Sequence, residues 1–257
     1  MDCLLEMKGQ VALVTINRPP MNTLSRSTLS ELAAIFNELE KDDSIRSILL
    51  TGAGDRVFSA GADISEFGDM SDQEQSRANI QHVHDFFLRL EQFPKPIIAC
   101  VNGKALGGGN ELQMACHLAI ASEEAEFGLP EVRLGIIPGY GGTQRLPRLI
   151  GRRRAVELML SGERISAQKA LGYGMINRVV PHEDLMDEAI EWAARLAEGP
   201  PLAMKGILDS VNRGSDLPIT EGTSIELEHI MAVRGSEDAI EGVTAFFTKR
   251  KAEFKGK

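Results

Sequence analysis

Two glutamates and two glycine-rich turns are the parts of this chain with chemistry to offer. In "GKALGGGNEL" (103–112), Gly107, Gly108 and Gly109 stand directly before an acid, Glu111. Glycine has no Cβ, so the backbone can approach a ligand closely there. Where such a run opens a helix, the first N–H groups have no internal partner and the dipole favours negative charge. Two chemistries fit: a phosphate cradle, or an oxyanion hole whose amides meet charge developing on a carbonyl oxygen. A P-loop needs GxxxxGK[ST], whereas Gly109 is followed by Asn110 and Glu111, and a carboxylate at that point repels phosphate. The run also lacks the G-x-G-x-x-G spacing of a dinucleotide fingerprint. Tight helix–strand packing would use the same glycines, and an acid in a first helical turn suits the dipole without catalysing anything, so this loop alone does not decide.

The second acid, Glu131, follows a proline in "FGLPEVRLGIIPGYGGTQRLPRLIG" (127–151), a stretch otherwise apolar or glycine-rich. A carboxyl among apolar neighbours is a candidate for a raised pKa and for general acid–base work. "FSAGADI" (58–64) offers a further small-residue turn after a strand, with amides available at Gly61, Ala62 and Asp63. Two amide-rich turns and two acids form the set needed to polarise a carbonyl and move protons beside it.

These residues need elements to hold them. "QVALVTI" (10–16), "IRSILLTG" (45–52) and "PIIACVNG" (96–103) are apolar runs rich in β-branched residues and bounded by Pro or Gly, hence strands. Between them, Leu29, Leu32, Ala33, Phe36 and Leu39 mark one helical face behind a Ser/Thr start. Ile80, Val83, Phe87 and Leu90 mark the apolar stripe of a second helix over about 71–92. The segment 53–70 reads as a loop, and "NELQMACHLAIA" (110–121) as a helix running into a short strand. Alternation of strand and helix predicts an α/β fold with parallel strands. From about residue 183 the pattern is helical, which predicts a core over 1–198 and a helical region over 199–257, divided near "EGPP".

The whole chain of 257 residues carries 28 Lys+Arg against 37 Asp+Glu, a net charge of -9 that disfavours non-specific binding to nucleic acid or anionic membrane. Cys3, Cys100 and Cys116 have no paired spacing and suit a reducing compartment. The opening "MDCLLEMKG" is unlike a signal peptide and no apolar run approaches membrane-spanning length, so a cytoplasmic protein is expected.

Together, "NRPPMNTLS", "FSAGADI", "KPIIACVNGKALGGGNEL", "FGLPEVRLGIIPGYGGTQRLPRLIG", "ISAQKALGYGMINRVV" and "FFTKRKAEF", in this order, resemble the enoyl-CoA hydratase (crotonase) family over essentially the whole chain, most like its bacterial short-chain hydratases. The resemblance implies a crotonase-like spiral of ββα repeats with a helical C-terminal region that makes trimers, two of which pair into a hexamer. It implies an acyl-CoA substrate, no separate cofactor, no metal, and an oxyanion hole from the backbone N–H groups of Ala62 and Gly108. Glu111 and Glu131 fill both acid positions of the family's hydratases. Glu111 would orient and deprotonate water, and Glu131 would hold it and supply the Cα proton. CoA would meet the backbone at Ala60, Asp63 and Ile64 and the Arg26 side chain, with Phe246 and Lys249 reaching a neighbouring subunit's CoA. Asn110 and Tyr140 differ from the small residues that many members carry there, and either would narrow the acyl pocket or add a hydrogen bond.

Other readings stay open at this level. An enoyl-CoA isomerase, or a hydratase of branched, cyclic or dienoyl thioesters, fits the same motifs. The run "GRRR" (151–154) suits a solvated face, a subunit contact or an anion site for CoA phosphate or RNA, as in RNA-binding crotonase relatives. The acidic net charge and the lack of interleaved aromatics weigh against RNA. His82 and His84, two apart on a helix, do not face each other as metal ligands must.

Overall fold

The computed structural model describes residues 1–67 and 72–257; the expected helix start at Ser71 and the last residues of the 53–70 loop lie outside them. The chain opens with an antiparallel hairpin, β1 (Cys3–Lys8) and β2 (Val11–Ile16), turning at Gly9 with a φ of 64°. Helix α1 (Arg26–Lys41) starts where the Ser25 hydroxyl accepts the Thr28 N–H. Then come β3 (Ser47–Gly52), β4 (Val57–Ser59), α2 (Gln73–Glu91), β5 (Ile97–Val101), β6 (Lys104–Leu106), α3 (Gly108–Met114), β7 (Leu118–Ser122) and β8 (Glu126–Gly128). After a 3-10 turn at Glu131–Leu134 follow α4 (Gly142–Ile150), α5 (Arg152–Ser161), β9 (Arg164–Ser166), α6 (Ala167–Tyr173) and β10 (Arg178–Val180). The chain ends in helices: α7 (Leu185–Ala197), α8 (Pro201–Gly214), α9 (Ile219–Val233) and α10 (Glu237–Thr248).

The long strands form one sheet in the order β1-β2-β3-β5-β7-β10, parallel from β2 onward. The short ones form a second sheet in the order β4-β6-β8-β9. Each of the pairs β3/β4, β5/β6 and β7/β8 gives one strand to each sheet before the chain turns into a helix or helical turn. That winding is a ββα spiral. Side chains of the large sheet alternate between two cores. Val14, Ile16, Ile48, Leu50, Ile97, Ala99 and Val101 pack inward with Phe36, Phe58 and Phe87. Val11, Leu13, Leu49, Ile98, Cys100 and Ile120 pack outward beneath Leu185, Trp192 and Ala193 of α7. Burial on both faces explains why these strands read as unbroken apolar runs.

Two expectations need correction. Ile80 does not belong to the buried stripe of α2, which is Val83, Phe86, Phe87 and Leu90. The helix periodicity runs on toward its N-terminus, but the body beneath does not, and Ile80 is exposed. The segment 53–70 is not all loop, because β4 lies within it; β1, β6, β8, β9 and β10 likewise carry no mark in the sequence. β1 runs six residues with only Cys3 buried, so it shows no alternation, and strands of three residues are too short to show a period.

Candidate active site

Strands β4, β6 and β8 are parallel neighbours in the small sheet, and each is followed within three residues by a part of one site. Ala60–Ala62 leave β4, Gly107 and Gly108 leave β6, and Glu131 follows β8. Ligands of parallel sheets gather beyond the carboxyl ends of the strands, and here the topology delivers three sequence-distant turns to one such end.

The two turns meet closely. Gly61, at φ 95°, could carry no side chain, since a Cβ there would lie 2.8 Å from the Gly108 nitrogen. A Cβ on Gly108 would lie 3.3 Å from the Ala62 nitrogen. An isolated bridge to Leu24 uses the Gly61 carbonyl and the Asp63 N–H, which leaves the Ala62 N–H without a partner among the described residues. Gly108 is the first residue of α3, so its N–H has none within the helix. Two unengaged amides thus stand side by side.

Glu111, on the first turn of α3, is 1% exposed. Its Oε1 accepts the N–H of Tyr140 at 2.8 Å and of Gly142 at 2.6 Å. Burial pushes this carboxyl up to about 7 against the pull of those amides, and the nearby Glu131 charge pushes the same way. Glu131 also has its carboxyl raised by burial, and its Oε2 is buried without a hydrogen-bond partner among the described residues. A Cβ on Gly107 would lie 3.0 Å from Glu131 Oε1, so the second acid lies against the glycine turn. Burial raises both carboxyls and the Glu131 charge raises Glu111 further, so the site disfavours two charges at once.

A family model described as enoyl-CoA hydratase/isomerase matches residues 6–257. The chain belongs to that family. Among its relatives, a short-chain-enoyl-CoA hydratase of Clostridium acetobutylicum is 44% identical over 253 residues, covering 98% of this chain and 97% of the relative. A crotonyl-CoA hydratase of Syntrophomonas wolfei is 40% identical over 254 residues, with 98% and 97% covered. The crystal structure of an enoyl-CoA hydratase from Bacillus anthracis superposes with a TM-score of 0.95 at 40% identity, covering 100% of both chains. The ββα spiral is the fold of this family.

The remaining sequence-level candidates of this family member sit at different depths. The Tyr140 ring lies over the glycine turn, since a Cβ on Gly108 would approach its Cδ2 to 2.8 Å. It packs edge-on against Phe87 of α2, with centroids 5.9 Å apart. Burial pushes its phenol up to about 12, and the Glu111 and Glu66 charges add to the rise while Arg26 opposes it. Asn110 is 1% exposed and turned into the protein: its amide donates to the Gly128 carbonyl at 3.5 Å and its oxygen accepts from Gln113 at 3.0 Å. The same Gly128 carbonyl accepts the Gly107 N–H, so Asn110 braces the glycine turn from behind. The Ala60 N–H is engaged by the Met21 carbonyl, the Asp63 carboxylate accepts from Ser65 and pairs with Arg18, and Ile64 is exposed. Arg26 is at the surface, its guanidinium donating to the Glu66 carbonyl at 3.4 Å. Phe246 and Lys249 lie at the exposed end of α10, and among the described residues no hydrogen bond, ion pair or ring contact joins them to Glu111 or its neighbours.

Sequence reading missed the groups that hold Glu111. These are backbone amides of residues 140 and 142, and a main-chain donor leaves no mark on residue type beyond the glycines of "GYGG". It weighed His84 only as a metal ligand beside His82, whereas the His84 Nε2–H donates to the Gly139 carbonyl at 2.7 Å.

Proposed function

We propose that this chain is an enoyl-CoA hydratase that adds water reversibly across the 2,3 double bond of a 2-enoyl-CoA to give a 3-hydroxyacyl-CoA. The observation that carries the reading is the pair of unengaged amides at Ala62 and Gly108 beside the buried carboxyl of Glu111 and the half-buried Glu131, whose Oε2 is buried. The thioester oxygen accepts both N–H groups, which stabilise the enolate-like charge that appears on it as oxygen attacks Cβ. Ionised Glu111, oriented by its two amides, takes the proton of the attacking water. Glu131, entering the step protonated, holds the water and delivers its proton to Cα. One O–C and one C–H bond form, the C2=C3 π bond and one O–H bond of water break, and the proton taken by Glu111 balances the one given by Glu131. No redox partner is needed, and CoA enters as part of the substrate.

The names of the relatives, short-chain-enoyl-CoA and crotonyl-CoA hydratase, favour a short acyl chain, and the Tyr140 ring over Gly108 is consistent with a short pocket. Asn110 supports that pocket from within. CoA runs past Ala60, Asp63, Ile64 and Arg26, and Phe246 and Lys249 serve the CoA of a neighbouring subunit. Residues 1–198 form the catalytic core in this reading, and 199–257 make subunit contacts in a trimer or a dimer of trimers. In support, Ile207, Ile219, Leu227, Met231, Ile240 and Val243 leave apolar side chains exposed along α8, α9 and α10.

The test is hydration of crotonyl-CoA, followed as loss of the conjugated thioester absorbance, for wild type, Glu111→Gln and Glu131→Gln. Loss of rate by about 10²-fold or more in each variant is expected. A folded wild type that binds CoA yet leaves the absorbance unchanged would sink the reading.

A further inference from the structure

The turn that holds Glu111 is itself held by a side chain the chemistry above leaves unused. Arg145, on the first turn of α4, is 9% exposed. Its Nε pairs with Glu91 Oε1 at 2.5 Å, and its Nη1 donates to the Tyr140 carbonyl at 2.8 Å. Glu91 is the last residue of α2, so the pair joins that helix to the turn. The guanidinium carbon also stands 5.8 Å from the Phe87 ring centroid, and Phe87 packs on Tyr140. Gly141 takes φ 103° beside it, and any Cβ there would collide with Nη1. The turn is shaped around this one cation.

A buried arginine paired with one carboxylate could be a cross-link between helices and nothing more. The choice of acceptor argues otherwise. Glu111 is held by two peptide N–H groups, those of Tyr140 and Gly142. The peptide between them presents the Tyr140 carbonyl, and that carbonyl is the one Arg145 holds. The peptide carrying the Tyr140 N–H is held from its other end by His84 through the Gly139 carbonyl. Consecutive peptide groups around the acid are thus fixed from α2 and α4, and each donor to Glu111 keeps its direction because its neighbour cannot rotate.

We propose that Arg145 is a positioning residue for hydration: clamped by Glu91, it fixes the peptide between the two amides that orient Glu111. The inference rests on Glu111 being the base proposed above. Its effect on charge follows from the same geometry. The guanidinium opposes the upward push of burial on Glu111, while Glu131 adds to that push. The other groups facing this cluster are Glu91 and His84 of α2, His117, which donates to the Glu91 carbonyl, and the thiol of Cys116, which burial pushes up to about 12.

The experiment measures kcat and KM for crotonyl-CoA over about pH 6 to 9, for wild type, Glu111→Gln, Arg145→Met and Arg145→Lys. Arg145→Met is expected to lose about 10- to 100-fold in kcat with KM nearly unchanged, because a base displaced by under 1 Å costs that order of rate. Its acid limb should move to higher pH, since the ionised form of Glu111 loses a nearby positive charge. Arg145→Lys keeps the charge but cannot hold both acceptors in a fixed fork, so it should recover the limb and only part of kcat. If Arg145→Met does not fold, Arg145→Lys carries the test, and a kcat within about twofold of wild type overturns the proposal. A folded Arg145→Met with wild-type kcat and limb, alongside an inactive Glu111→Gln, overturns the positioning role and leaves the hydratase reading intact. A wild type without hydration activity overturns both.

Discussion

Replacing Glu111 by Gln should make the protein more stable at alkaline pH while removing its activity. The carboxyl is 1% exposed, and burial outweighs two amide donors and a nearby guanidinium to raise it from an ordinary 4.5 to about 7. Below pH 4.5 the group is protonated whether the chain is folded or unfolded. From there to about 7 the unfolded chain is ionised and the folded one is not, so unfolding releases a proton and stability falls as pH rises. Above about 7 the loss is complete and amounts to about 3 kcal/mol, at about 1.4 kcal/mol for each pH unit between the two values. Glutamine has no such pH dependence. Its oxygen can still accept the Tyr140 and Gly142 N–H groups, and its added NH2, if left without an acceptor, costs about 1–2 kcal/mol at every pH. That constant cancels when the difference between variant and wild type is compared at two pH values. Relative to pH 5, the variant should therefore gain about 2–3 kcal/mol at pH 8. For a chain of this size that is a gain of about 5–10 °C in Tm, measured by calorimetry at equal protomer concentration. A Tm difference that is the same at both pH values would refute the reasoning, because it would mean that the amides and Arg145 hold the ionised carboxylate as well as water does.

Further outcomes follow from the same geometry. Gly108→Ala would set a methyl 2.8 Å from the Tyr140 ring and 3.3 Å from the Ala62 nitrogen, in the space that the proposed oxyanion hole reserves for a thioester oxygen. Its hydration rate should fall by about 10²-fold or more with the circular dichroism spectrum unchanged, and near-normal turnover would remove the oxyanion hole from this site. Tyr140→Ala takes the ring from above Gly108 and from its edge contact with Phe87. It should raise kcat/KM for a longer enoyl-CoA relative to crotonyl-CoA by about 10-fold or more, and an unchanged ratio would mean that the ring does not border the acyl chain.

Much of the scaffold was legible in the residues themselves. Strands buried on both faces must be apolar throughout, so β2, β3 and β5 stood out as runs, and the stripe of Leu29, Leu32, Phe36 and Leu39 marked α1 by its period. The glycines at 107–109 and the acids Glu111 and Glu131 were visible because their residue types are unusual for their surroundings. Motif order along the chain was enough to point to the family to which it belongs.

What the sequence could not express is the small sheet. Strands β4, β6 and β8 are three residues each, too short to carry a period, and their pairing joins segments about 20 to 50 residues apart. Yet that pairing alone brings the turns at Ala62 and Gly108 and the acid at Glu131 to one edge. The donors to Glu111 were hidden for a related reason, being main-chain N–H groups whose direction depends on the path of residues 139–142 and on contacts from α2 and α4. Whether a carboxyl has its proton near pH 7 depends in turn on what surrounds it in space, and for Glu111 most of those surroundings are distant in the chain. Residue types determined what chemistry was available; long-range pairing and burial decided where it converges and in which charge state.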